Sequence, residues 1–211
     1  MQSKHTYKDR EERRLANLRF AREKAALWHR SDKLNRLKKI ETEAEDIVKR
    51  IDLSNSDLLA LALSLIYLCE GFKGDETRLG NSDPLILKFF IVCLQTVFNV
   101  PTSKINCELH LRADQDEEAV KRYWSQELGI PLEQFNKTSF DRRTIGSSTF
   151  DGYKGVCVIS CGNVAIKRKL IYLSRKFCEQ TVNARLAQLV EHRLDVTRVV
   201  GSIPTARTET I

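Results

Sequence analysis

The stretch LLALALSLIYLCEG, residues 58–71, decides the fold of this chain. It is too apolar for a helix at the surface of a globular protein, so we expect a helix that is buried over most of its circumference. Ser54-Asn55-Ser56-Asp57 before it is typical of a helix start, and Gly71 is a good residue for the C-terminal end. The rest of the domain must therefore pack around this helix.

Helical and strand patterns alternate after it. A short strand around residues 77–79 precedes a helix with Asp83 as its cap and Pro84 in its first turn. A helix over residues 114–128, capped by Asp114 or Asp116, and one that starts at Asn163 are also predicted, as are strands at residues 105–112, 135–143 and 155–160. This order predicts an α+β domain with an antiparallel sheet and packed helices, over residues 54–180.

The strand at residues 105–112 has a strict period of two. Its apolar residues alternate with Asn106, Glu108, His110 and Arg112, which we expect on the outer face of the sheet. A polar loop rich in Gly and Ser, residues 144–152, joins the last two strands.

Residues 7–51 contain neither Gly nor Pro and predict helix. One apolar stripe runs along the second half; Ser31 or Asp32 is a candidate cap for a break before it. The stripe consists of Leu34, Leu37, Ile40, Ala44, Ile47 and Ile51. Residues 1–51 are thus a basic N-terminal helical segment, whose first half is either a mobile basic arm or what remains of a helical DNA-binding head.

The net charge of +7 is strongly segregated along the chain. Residues 1–39 carry 13 Lys and Arg against 5 Asp and Glu, a net +8. Residues 52–136 carry 7 against 13, a net −6, and residues 137–182 carry 9 against 3, a net +6. Basic stretches on both sides of an acidic middle favour a partner with a phosphate backbone.

Composition excludes several other classes. No apolar run approaches the roughly 20 residues of a membrane span. The six cysteines form no C-x-x-C pair and no zinc-finger spacing, which predicts free thiols in a reducing, cytoplasmic environment. No nucleophile elbow, P-loop or dinucleotide-binding fingerprint is present, so an ordinary metabolic enzyme is not expected.

The segment LSLIYLCEG, residues 63–71, resembles the motif of the LAGLIDADG homing endonucleases. LGNSDPLILKFF, KINCELHLR, RYWSQELGIP and GVCVIS resemble segments of small prokaryotic proteins with one such motif, so the likeness spans about residues 58–178. The resemblance implies that the helix pairs with that of a second subunit, that the protein is a homodimer on double-stranded DNA, and that Glu70 is the catalytic acid that binds Mg²⁺. Leu65 stands where the motif has its first glycine, and Leu68 where it has its first acid.

A carboxylate such as that of Glu70, at the C-terminal end of a helix, is unfavourable unless a cation balances it. The alternative is that Glu70 is the first exposed residue after a buried helix. The residues that we expect to contact DNA are His110, Arg112, Lys137, Arg142, Arg143 and Lys154, with Arg13 and Arg14 from the N-terminal segment. Tyr123 and Trp124 are expected to pack rather than to stack on a base.

The tail RLAQLVEHRLDVTRVVGSIPT, residues 185–205, resembles a translated tRNA gene. We therefore expect residues 183–211 to be a non-native, loosely packed extension, and a mobile-element neighbourhood would fit it; the alternative is an amphipathic helix over residues 183–194. Three functional hypotheses remain. The first is a DNA-binding protein without efficient cleavage, in a regulatory or mobile-element role. The second is an active homodimeric endonuclease that uses Mg²⁺, and the third is a degenerate mobile-element protein that retains only interaction surfaces.

Overall fold

A computed structural model describes the backbone of residues 3–200 and the side chains of residues 9–188. The chain divides into two compact units between Asp52 and Leu53. In the first unit, helix α1, Ser3–Lys49, runs without interruption, so the break considered at Ser31 or Asp32 does not occur. Residues 33–51 of this unit are all exposed.

The second unit mixes helices and strands, which confirms the predicted α+β class. Its helices are α2, Ser56–Glu70; α3, Pro84–Thr96; α4, Glu117–Leu128; and α5, Val164–Val200. Its strands are β1, Arg78–Asn81; β2, Asn106–Arg112; β3, Phe135–Asp141; and β4, Val156–Ser160. None of the helices described is long and apolar enough to cross a bilayer.

The four strands form one sheet in the order β1-β4-β2-β3. β4 runs antiparallel to both of its neighbours, whereas β2 and β3 are parallel. The expectation of a wholly antiparallel sheet was therefore wrong: the sheet is mixed. The physical reason is α4, which lies between β2 and β3 in the sequence and returns the chain to the starting edge, as a parallel pair requires.

Helix α2 packs against α3, α5 and β1. Its buried face consists of Ala60, Leu63, Ser64 and Tyr67. The opposite face, with Leu61 and Leu65, is half-buried, and the last turn from Leu68 to Glu70 is exposed. The helix is thus covered on one face rather than over most of its circumference.

The helix ends follow from local side-chain chemistry. The Asn55 side chain accepts hydrogen bonds from the backbone N–H groups of Asp57 and Leu58, at 2.9 and 3.0 Å. Asp83 caps α3 as predicted, and Asp116 rather than Asp114 caps α4. Gly71 ends α2 in an extended conformation, where a Cβ atom would lie 2.4 Å from the carbonyl oxygen of Tyr67. Only glycine fits there without a shift of the backbone.

The cysteines are all free thiols, as predicted, and differ widely in exposure. Cys93, Cys107 and Cys157 are buried in the core, while Cys69 and Cys178 are exposed. Burial raises the pKa of Cys93 to about 11. A hydrogen bond with Cys107, together with burial, raises the pKa of Cys157 far above its usual range.

Residues 183–188 of the predicted extension belong to α5, and their side chains are exposed. The side chains from residue 189 and the backbone from residue 201 lie outside the described residues. The interpretation of this segment as a non-native extension stays a prediction.

Candidate functional site

The sheet has one apolar face and one polar face. Cys107, Leu109, Leu111 and Ile159 lie in the core, against the helices. The side chains between them point to the other side, which we call the outer face. It carries Arg78, Gly80, Asn106, Glu108, His110, Arg112, Lys137, Ser139, Asp141, Val156, Val158 and Ser160. All of these residues except Ser160 are exposed or half-buried, so the outer face is accessible.

The pairing register brings residues from distant parts of the sequence together on this face. Glu108 lies between Val158 on β4 and Lys137 on β3. His110 lies between Val156 and Ser139, one pair further along. The alternation in the sequence therefore placed the side chains of β2 correctly.

Arg78 lies at the β1 end of the outer face, and only 19% of its side chain is exposed. Its Nη2 donates to Glu108 Oε2 at 2.5 Å, and its Nη1 donates to Glu76 Oε1 at 3.2 Å. The guanidinium also lies over the Phe72 ring, 5.3 Å from the centroid. This charge is balanced within the protein, so it positions Glu108 and is not free to neutralise a ligand. The sequence interpretation missed Arg78 because its strand is too short to show an alternation.

Arg112 lies at the C-terminal end of β2 and holds the Gly/Ser-rich loop against the sheet. Its Nε donates to Thr149 Oγ1 at 3.0 Å and its Nη2 to Ser147 Oγ at 2.7 Å. Asp114 accepts from the backbone N–H and the hydroxyl of Thr149, both at 2.6 Å. These hydrogen bonds lower the pKa of Asp114 below its usual range. Arg112 therefore positions the loop, and the direct DNA contact predicted for it stays a prediction.

A cavity of about 560 Å³ lies between this loop and the ends of the strands. His110 and Arg143 lie in its wall, together with the aromatic pair Phe150 and Tyr153, whose ring centroids are 5.1 Å apart. Arg143 forms a bidentate ion pair with Asp141, with both N–O distances at 2.9 Å, and this pairing lowers the pKa of Asp141. The side chain of Arg143 is nevertheless 89% exposed.

Two predicted DNA contacts, Lys137 and Arg142, lie at the rim of the outer face, and a third, Lys154, lies toward α4. Lys137 is exposed on β3, and Arg142 is exposed directly after that strand. Lys154 is exposed just before β4, and its Nζ lies beside α4, 5.8 Å from the centroid of the Tyr123 ring. Among the residues whose side chains are described, none of the three forms a salt bridge. They are therefore the groups best able to neutralise a phosphate.

The aromatic residues beside Lys154 pack, as predicted. Trp124 is fully buried, and its Nε1 donates to the carbonyl oxygen of Lys154 at 2.8 Å. Tyr123 is half-buried against it, with ring centroids 5.4 Å apart. This packing fixes the backbone that presents Lys154.

Glu70 is exposed at the end of α2 and lines a hollow together with Phe72, Lys73, Gly80 and Val158. Gly80 and Val158 belong to the outer face, so the carboxylate lies at its edge. Between residues 9 and 188, no three His, Cys, Asp or Glu side chains come together in a group that would hold a metal ion. The Mg²⁺ site at Glu70 that the resemblance implies stays a prediction.

The remaining predicted residues, Arg13 and Arg14, are exposed on α1 in the first unit. Arg14 forms a surface ion pair with Glu11 at 3.5 Å.

The chain matches no family model, no curated protein and no solved structure.

Proposed function

We propose that this chain is a cytoplasmic DNA-binding protein that contacts double-stranded DNA with the outer face of its sheet. The observation that carries the proposal is the accessible outer face itself, with charged and polar side chains from β1, β2 and β3 and, at its rim, Lys137 and Arg142, which form no salt bridge among the described residues. The likeness of residues 58–178 to single-motif LAGLIDADG proteins, and the homodimer that it implies, point the same way. The free thiols support a reducing compartment.

The charges divide into two roles. Arg78 pairs with Glu108, and Arg143 pairs with Asp141. These two ion pairs present hydrogen-bonding groups without excess charge. Lys137 and its neighbours at the rim supply the positive charge that phosphates attract. Phosphate contacts position a protein on DNA and base contacts specify the sequence, so this division suits a duplex whose backbone lies along the rim.

A salt titration of DNA binding by the whole chain tests the proposal. The logarithm of the DNA-binding constant falls linearly with the logarithm of the salt concentration, and each neutralised phosphate makes this slope steeper by about 0.9. The double substitution Lys137→Gln and Arg142→Gln is therefore expected to lower this slope by about 2 and to weaken binding on every sequence. Arg122→Gln is the matched control, since Arg122 is exposed on α4, which packs on the apolar face. Binding that does not weaken with salt, or that weakens equally in the control, would refute the proposal.

DNA cleavage by a homodimer is a second candidate, favoured by the position of Glu70 at the edge of the outer face. The resemblance to single-motif LAGLIDADG proteins implies that this function uses the acids of two copies. If it holds, Glu70→Gln abolishes Mg²⁺-dependent nicking of plasmid DNA and leaves DNA affinity unchanged. If the wild-type protein binds DNA without nicking it, cleavage is excluded and only the DNA-binding function remains.

A further inference from the structure

The cavity at the loop end of the outer face is held open by a loop that is fixed along its length. Its volume of about 560 Å³ is within the range of about 300–1,000 Å³ that small-ligand sites occupy. Thr144 Oγ1 accepts the backbone N–H of Ala113 at 2.9 Å, and the carbonyl oxygen of Tyr153 accepts Nε2 of Gln115 at 2.9 Å. Thr149, between these two points, is hydrogen-bonded to the end of β2 and to the turn after it. The cavity is therefore preformed.

One part of the cavity wall is aromatic. Phe150 and Tyr153 both line the cavity, and Phe150 is 70% exposed. The two rings contact each other, with their centroids 5.1 Å apart. Nucleobases stack on aromatic side chains of this kind, because every base has a π face. This part of the wall can therefore take a flat ring.

The polar part of the wall offers N–H donors without excess charge. Asp141 accepts from Nε and Nη2 of Arg143, both at 2.9 Å. Nη1 of Arg143 has no partner among the residues whose side chains are described, so Nη1 and the second proton of Nη2 form a free donor edge. Arg112, also in the wall, lies 3.9 Å from Asp114. Because both cations are balanced by acids, the wall suits a neutral group with hydrogen-bond acceptors better than an anion such as phosphate.

We propose that this cavity holds one unpaired nucleobase of DNA that lies on the outer face. The base stacks on Phe150, and its acceptors receive the free N–H groups of Arg143. His110 and Ser139 belong both to the outer face and to the cavity wall, so DNA on that face lies beside the opening. A base that has no partner leaves the stack at the lowest cost, which makes a duplex with an extrahelical base the preferred class of DNA. The inference rests on the proposed DNA binding and adds this preference to it.

The free donor edge of Arg143 predicts which base binds best. Guanine presents two neighbouring acceptors, O6 and N7, which match two parallel donors of a guanidinium. Adenine presents N7 beside an amino group, and that amino group would face a donor. An unpaired guanine is therefore preferred over an unpaired adenine.

Fluorescence anisotropy with the whole chain and end-labelled duplexes tests the proposal. One duplex is fully paired, and the others carry one inserted nucleotide that is a guanine, an adenine or an abasic residue. The abasic insertion reproduces the bend and flexibility of the bulge without a base. We expect the guanine bulge to bind about tenfold more tightly than the abasic bulge, which is the order that stacking on an aromatic ring contributes, with adenine between them. Equal affinity for guanine and abasic bulges would overturn this inference and leave the proposed DNA binding intact, whereas binding to none of the duplexes would overturn both.

Two substitutions assign the preference to the cavity. Phe150→Leu removes the ring and keeps an apolar side chain, so the guanine bulge should bind no better than the abasic bulge. Phe177→Leu is the matched control, the same change at a phenylalanine that is 41% exposed on α5, and it should keep the preference. Arg143→Lys keeps the charge and loses the fork, so it should remove the preference for guanine over adenine and keep that for either base over the abasic bulge. A preference for guanine that survives Phe150→Leu, or one over adenine that survives Arg143→Lys, would overturn the proposed site.

Discussion

Substitution of Tyr67 by Phe tests how the last turn of α2 is joined to the sheet. The side chain is 2% exposed, and its hydroxyl accepts the backbone N–H of Arg78 at 3.2 Å and donates to the carbonyl oxygen of Phe72 at 3.3 Å. Removing the hydroxyl leaves a buried N–H and a carbonyl without this partner. Through these two bonds the hydroxyl joins α2 to both ends of residues 72–78, the segment between Glu70 and β1.

The expected loss follows from these two hydrogen bonds. A buried polar group that loses its partner costs about 1–3 kcal/mol. With a urea dependence of about 2 kcal/mol per molar, the unfolding midpoint of Tyr67→Phe should fall by about 0.5–1.5 M. Tryptophan fluorescence reports the transition, because Trp124 is fully buried in the same unit.

The matched control is Tyr123→Phe, which removes the same atom. No hydrogen bond of the Tyr123 hydroxyl is found within residues 9–188, and the residue is half-buried. Its free energy of unfolding should therefore stay within about 0.5 kcal/mol of the wild-type value. Equal midpoints for the two variants would refute the structural role given to the Tyr67 hydroxyl.

Two further predictions concern the loop end of the outer face. Gly155→Ala should destabilise the second unit by about 1–3 kcal/mol in a thermal or urea transition, because the backbone has φ +69° and an added Cβ lies 2.5 Å from a methyl group of Leu111. Gly129→Ala, at φ +65° with open space around it, is the control and should lose only about 1 kcal/mol; the reverse order would contradict the packing argument. Asp114 has a lowered pKa, so its support of the loop is present above the ordinary carboxyl range near 3.9 and is lost as the pH falls through the lower folded value. The amide resonance of Thr149 should follow this titration and become insensitive to it in Asp114→Asn; a pH-independent shift in wild type would exclude the hydrogen bond.

Local chemistry made much of the fold predictable. Asp83 followed by Pro84 determined the start of α3, and the strict alternation of β2 determined which of its side chains reach the outer face. These features depend on neighbours in the sequence, where caps and periodicity act. Strand partners are different, since β4 pairs with both β1 and β2 although long stretches of chain separate them.

The candidate site was harder to predict for the same reason. The outward direction of Arg112 follows from the alternation, but its partners Ser147 and Thr149 lie 35 and 37 residues further along the chain. The sequence therefore gave no indication that the guanidinium would hold a loop. The parallel pairing of β2 and β3 was foreseeable in principle, because a helix lies between them. The expectation of an antiparallel sheet, drawn from the order of the elements, did not take this helix into account.

Because the cysteines differ in exposure, their chemical modification reports when the core unfolds. A maleimide or iodoacetamide reacts with thiolate, so Cys69 and Cys178 at the surface should be modified at once. Cys93, Cys107 and Cys157 should remain protected until the core opens, because they are shielded from the reagent. Burial also raises the pKa of Cys93, and the pKa of Cys157 is raised by a hydrogen bond with Cys107 and by burial. Counting modified sulfurs over time by mass spectrometry therefore separates local fraying from cooperative unfolding, without any engineered probe.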